Sequence, residues 1–266
     1  MSRPGKAGDG TCVLAERNDG VLTLAINRAD ANNAINNETR DALIAAFEGA
    51  QRDAHLRAIV LTSVGEDAFS VGTDIAEIAT YTPAEAEALG LKARAVYSAM
   101  LALDIPIIAA IKGACLGAGF ELALHADIRL ARGDARFGLP GINVGLVSSG
   151  AALARLQRVS GLGSTAALAL TGGMVTAERA FMLGLVSNVA SQKDFAGAVE
   201  QLAQHFTALS PVAVSETKRM LRAAIDDAGA ASALGPKALA RCFGEGDALA
   251  RLHMMLGGRD PQATLH

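Results

Sequence analysis

Two glycine-bearing stretches constrain this 266-residue chain more than any other feature: Asp67-Ala68-Phe69-Ser70-Val71-Gly72-Thr73-Asp74-Ile75, and Gly117-Ala118-Gly119-Phe120-Glu121 downstream of it. Each leaves an apolar strand and runs towards a helix, so each can aim backbone N–H groups at one point in space. A pair of such loops makes an oxyanion hole. The bland alternative is that Gly117 and Gly119 only let a strand and a helix approach closely.

The surrounding pattern predicts an α/β core. Cys12–Arg17 and Val21–Ile26 flank Asn18-Asp19-Gly20, whose Asp-Gly step favours a hairpin. Glu38–Asp53 carries Leu43, Ala46, Phe47 and Ala50 as a helical stripe, and Ala58–Thr62 reads as a buried strand. Helix Ala84–Leu103, strand Ile107–Ile111, helix Gly119–His125 and strand Ile128–Ala131 continue the alternation. Beyond residue 145 the expectation is helical throughout, apart from a short strand at Val186–Ala190. Helices are expected at Gly150–Val159, Ser164–Thr171, Ala177–Leu183, Asp194–Leu209, Pro211–Ala224 and Pro236–Leu256, with Gly229–Gly235 a loop.

Composition narrows the function. With 51% hydrophobic residues the chain can bury a large core. A net charge of −3, dispersed basic residues, no Trp and 4% aromatics argue against nucleic acid as a partner. Cys12, Cys115 and Cys242 fit neither a disulfide framework nor a zinc site, and His55, His125, His205, His253 and His266 show no metal-ligand spacing. No metal is expected. The apolar runs Ile105–Ile111 and Leu162–Leu170 are too short to cross a bilayer, and the first ten residues, with Arg3, Lys6 and Asp9, lack a signal core. The expected address is cytoplasmic, without a membrane partner.

The two loops together resemble the signature of the crotonase (enoyl-CoA hydratase/isomerase) superfamily, in which an A-F-S-x-G-x-D-[IL] loop and a G-x-x-x-G-[GA]-G-x-[ED] loop each give one N–H to the thioester carbonyl of an acyl-CoA. Ile26-Asn27-Arg28, Asn33-Ala34-Ile35-Asn36, Pro106, Ala126-Asp127-Ile128-Arg129, Phe137-Gly138-Leu139-Pro140, Thr171-Gly172 and Gly184-Leu185-Val186 follow in the family's order. The resemblance implies a spiral of β-β-α units over residues 1–208 that binds acyl-CoA. It also implies a helical region over 209–266 that assembles a homotrimer or a dimer of trimers. It assigns the oxyanion donors to the amides of Thr73 and Ala118, and catalysis to Glu121, which would hold and deprotonate water. Val71, Gly72, Asp74 and Ile75 would cradle CoA, with Arg28 and Lys218 as phosphate partners. CoA is part of the substrate, so no separate cofactor is implied.

One departure matters. Many hydratases of the family carry a glutamate after the proline of F-G-x-P-E, and here Gly141 stands in that place. The missing acid–base group would contribute about 10² to 10⁴ in rate. Ser148 and Ser149 offer no replacement, Asp127 reads as a strand-entry feature and His125 as a packed residue. The expected activity is therefore nominally enoyl-CoA hydratase or isomerase, within fatty acid metabolism. The alternatives are another single-base acyl-CoA reaction (isomerisation, decarboxylation, thioester hydrolysis) and a non-catalytic acyl-CoA binder. A dehydrogenase reading of Gly113–Gly119 fails, because Tyr81 and Tyr97 are followed four residues later by Glu85 and Leu101, not lysine.

Overall fold

A computed structural model describes residues 11–255, so the first ten residues, the expected helix end at Leu256 and His266 lie outside the described residues. Strands β1 (Val13–Asn18) and β2 (Val21–Ile26) form the expected antiparallel hairpin. Asp19 and Gly20 both take positive φ, at 44° and 80°, as a two-residue turn between right-twisted strands demands. Helix α1 (Asn37–Gln51) starts where the Asn36 side chain accepts the Thr39 N–H, and it buries Leu43, Phe47 and Ala50.

Three β-β-α units follow. In the first, β3 (Ala58–Ser63) and β4 (Ala68–Ser70) lead to α2 (Ile75–Ile78) and α3 (Pro83–Ala102). Helix α3 opens with a capping box between Thr82 and Glu85 and with Pro83 in its first turn. In the second, β5 (Ile107–Ile111) and β6 (Ala114–Leu116) lead to α4 (Ala118–His125). In the third, β7 (Ile128–Arg132) and β8 (Arg136–Gly138) lead through a 3₁₀ turn, Pro140–Val144, to α5 (Gly150–Thr171). The chain then makes β9 (Met174–Thr176), α6 (Ala177–Met182), β10 (Asn188–Ala190) and α7 (Phe195–Ala208).

The first strand of each unit joins a six-stranded sheet of order β1-β2-β3-β5-β7-β10, parallel except for β1 against β2. The second strands form a smaller sheet of order β4-β6-β8-β9, in which only β8 and β9 are antiparallel. Strands β3 and β5 are buried on both faces, as parallel strands are when helices cover each side. Ile59, Leu61, Ile107, Ala109 and Ile111 face the main core with Phe47, Phe69, Phe120 and Phe137. The alternate residues Val60, Ile108 and Ala110 face Phe195 and Val199 of α7.

The small sheet was not expected from the sequence, because its three-residue strands are shorter than any period can register. The break expected between Val159 and Ser164 falls within α5 at Gly161, whose φ of 77° and ψ of 163° interrupt the helix.

The described residues divide into two compact units after Thr207. In the second, α8 (Pro211–Asp226) packs on α9 (Ala228–Gly244), and α10 (Ala248–Met255) follows. Here the expected loop at Gly229–Gly235 is corrected. The Asp227 side chain accepts the Gly229 N–H and caps a helix that runs on through Ala230, Ala231 and Ala233, whose helix propensity outweighs the glycines. The expected helix from Pro236 to Leu256 is likewise broken, between Gly244 and Ala248.

No helix among the described residues is long and apolar enough to cross a membrane.

Candidate active site

Strands β4 and β6 are parallel neighbours, so the loops after them leave the same edge of the small sheet side by side. The main chains meet at Gly72, where φ is 103°. A Cβ there would lie 2.9 Å from the Leu116 carbonyl oxygen and 3.1 Å from the Ala118 nitrogen. Gly119 is as tightly placed, since its Cβ would lie 2.6 Å from that of Ser70. Both glycines therefore serve close packing, and that packing brings Ala118 against the first loop.

Ala118 opens α4, so its N–H has no partner within the helix. Thr73 is bridged to Ile35 through its neighbours: the Ile35 N–H donates to the Gly72 carbonyl (2.7 Å), and the Asp74 N–H to the Ile35 carbonyl (3.1 Å). That pairing leaves the Thr73 N–H on the side away from Ile35. Among the described residues neither the Thr73 nor the Ala118 amide has an acceptor.

Glu121 is buried in the first turn of α4, and both of its carboxylate oxygens are occupied. Oε2 accepts the Tyr97 hydroxyl from α3 at 3.0 Å, and Oε1 accepts the Ser149 backbone N–H at 3.1 Å. Burial, reinforced by the neighbouring Glu121 charge, raises the Tyr97 hydroxyl above its ordinary pKa, so it stays protonated and donating. Tyr97 stacks on His125, with centroids 4.0 Å apart and planes 3° from parallel. His125 Nδ1 lies 2.7 Å from the Glu121 carbonyl oxygen, and a carbonyl can only accept, so the proton sits on Nδ1. Burial lowers the His125 pKa to about 4 and keeps the ring neutral.

A second buried ion was not anticipated. Arg40 of α1 is 2% exposed; Nη1 donates to the Ile35 carbonyl (2.9 Å) and Nη2 to Thr73 Oγ1 (3.0 Å). Its nearest carboxylate, Glu77, is 3.9 Å away. A cavity of about 10 Å³, room for one water, is lined by Ile35, Arg40, Val96, Tyr97, Ala118 and Leu122.

The remaining sequence-derived residues fall as follows. Arg28 Nη1 donates to the Ala34 carbonyl (2.6 Å) and to Asp74 Oδ2 (2.9 Å), and Asp74 Oδ1 accepts the Ala76 N–H at the start of α2. Val71 and Ile75 are exposed on the rim while Gly72 is buried. Gly141 lies in the 3₁₀ turn that leads to Ser149, with its carbonyl accepting the Leu146 N–H at 2.9 Å. Lys218 is buried on α8 of the second unit. Asp127 Oδ2 accepts the Ile107 N–H at the head of β5, the strand-entry role expected of it. Among the described residues no three His, Cys, Asp or Glu side chains cluster as a metal site requires.

Two adjoining glycine loops and a buried, hydrogen-bonded carboxylate thus stand together on a mixed α/β fold. Residues 16–245 match the family model described as enoyl-CoA hydratase/isomerase, and the chain belongs to that family, within the crotonase superfamily. Over 236 residues it is 30% identical to the short-chain-enoyl-CoA hydratase of Clostridium acetobutylicum, covering 88% of this chain and 90% of that one. It is 33% identical over 207 residues to carnitinyl-CoA dehydratase of Salmonella enteritidis, covering 78% of each. The crystal structure of an enoyl-CoA hydratase from Mycobacterium smegmatis superposes with a TM-score of 0.88 at 32% identity, over 94% of this chain and 98% of that one. The protein is an acyl-CoA enzyme of the hydratase/isomerase type.

Proposed function

We propose that the Thr73 and Ala118 amides receive the thioester oxygen of an enoyl-CoA and that Glu121 carries the proton chemistry. The observation that carries this reading is a buried carboxylate, held on both oxygens, three residues after an amide that has no acceptor. In hydration the water oxygen bonds to the β-carbon while the C=C electron pair moves through the α-carbon onto the carbonyl oxygen. Glu121 takes one water proton and returns it to the α-carbon as the enolate collapses, so the elements of water are added and the carboxylate is regenerated. The two N–H groups stabilise the enolate oxygen.

Arg28 and Asp74, paired at the loop, hold the rim on which Val71, Gly72 and Ile75 would meet CoA. The three β-β-α units are read as turns of a spiral, and the chain as one protomer of a trimer or of a dimer of trimers.

Gly141 favours a second reading, in which Glu121 alone moves a proton between carbons of a 3-enoyl-CoA or assists decarboxylation or thioester hydrolysis. A site that binds acyl-CoA without turnover is the limiting case. Incubation with crotonyl-CoA, a 3-enoyl-CoA and a malonyl-type thioester, followed by mass analysis after chromatography that resolves the isobaric enoyl isomers, separates these. A gain of the mass of one water marks hydration, and no product from any of them overturns the enzymatic reading.

A further inference from the structure

We propose that Arg40 is a positioning residue of the oxyanion hole, holding the Thr73 peptide in the orientation that presents its N–H to the thioester oxygen. This rests on the assignment of Thr73 above.

A guanidinium 2% exposed must be offset by acceptors, and Glu77, at 3.9 Å, lies beyond hydrogen-bonding distance. The acceptors it does have are the Ile35 carbonyl and Thr73 Oγ1. These belong to the two segments joined by the Ile35–Thr73 bridge, and the same Ile35 carbonyl also accepts the Asp74 N–H. The planar fork therefore spans the bridge and ties residue 73 from its side chain while residues 72 and 74 are tied through the main chain.

Its charge is placed to matter as well. Arg40 lines the same small cavity as Tyr97 and Ala118. Burial opposes its charge, and the carboxylates of Glu77 and Glu121 support it. A residue needed only to fill the core would be an apolar one, as Leu43 and Phe47 are on the same stripe of α1.

The test uses a conjugated aminocinnamoyl-CoA, whose absorption moves to longer wavelength as its carbonyl is polarised, together with turnover on whichever thioester the wild type converts. The wild type should bind the probe and shift it red. Arg40→Met should bind it with a clearly smaller shift and lose roughly 10- to 100-fold in kcat with KM within a few-fold, the mark of an interaction made mainly in the transition state. Arg40→Lys, which keeps the charge and loses the fork, should recover part of both. Thr73→Val cuts the same contact from the other side and leaves the guanidinium in place with one acceptor fewer. It should reduce the red shift even if Arg40→Met fails to fold. Red shifts equal to wild type in folded Arg40→Lys and Thr73→Val overturn the role of Arg40 while leaving the oxyanion hole standing. Absence of any shift in the wild type overturns both.

Discussion

Glu121 accepts the Tyr97 hydroxyl on one carboxylate oxygen and the Ser149 amide on the other, so its carboxylate is held before any substrate arrives. Glu121→Gln preserves the volume and keeps a carbonyl oxygen for the Ser149 N–H, with its NH2 turned to the Tyr97 oxygen, but cannot take a proton. Turnover should fall by about 10² or more with an unchanged melting temperature, and activity within a few-fold of wild type would remove Glu121 from the mechanism. At Gly141 the φ is not positive, and an added Cβ would meet Leu146 Cβ at 3.4 Å, so a longer side chain is sterically admissible. Gly141→Glu should fold and raise crotonyl-CoA hydration; a folded variant with no gain would favour another acyl-CoA reaction, or binding alone, over hydration.

His125 gives a stability signature. Its folded pKa, about 4, lies below the ordinary value of about 6.5, so the unfolded chain binds the proton first. Its contribution is complete above that ordinary value and is lost as pH falls towards 4. Between pH 7.5 and pH 5 the loss should be about 2 kcal/mol. Tyr97, the Glu121 carbonyl, Arg129 and Arg155 surround the ring, and His125→Asn leaves them in place while removing the titration. Melting measured at the two pH values should show a smaller drop for the variant; equal drops would mean that His125 does not titrate as its burial implies.

At the scale of elements, helix α4 carries both proposed groups, its first amide as a donor and its fourth residue as the acid–base group, so one rigid segment would set the distance between them. Proline is tolerated at a first helical position and lacks an N–H, so Ala118→Pro deletes one donor and sets the ring Cδ where its hydrogen pointed. Loss of that donor should cost about 10² to 10³ in kcat, about 2.7–4 kcal/mol, with helicity by circular dichroism retained. Full activity would show that this amide does not bind the carbonyl.

The elements differ in how readable they were. The large sheet and α1, α3 and α4 were legible because their periods extend over enough residues to register. The small sheet, which places the two loops side by side, was not. Arg40 left a trace, since it stands three and seven residues before Leu43 and Phe47 on an otherwise apolar face. Tyr97 left none: it meets Glu121 across 24 residues of chain, and only the packing of α3 on α4 brings them together.

For the whole molecule, the first unit carries Leu162, Leu170, Met174, Phe181 and Met182 on its surface, all more than half exposed. Apolar side chains so concentrated along α5, β9 and α6 are what copies of the chain would cover in a trimer. Sedimentation equilibrium should return three or six times 27.2 kDa; a particle of one chain's mass would overturn the assembly.

Because Thr73 and Ala118 would act through main-chain atoms, eighteen of the twenty coded side chains could in principle replace either one without erasing the donor. Inheritance can therefore reshape the walls of the chamber freely while its anchor persists. Gly141, standing where the family resemblance leads one to expect a glutamate, would be a change of that kind: at a side chain, beside a pair of amides that only proline can delete.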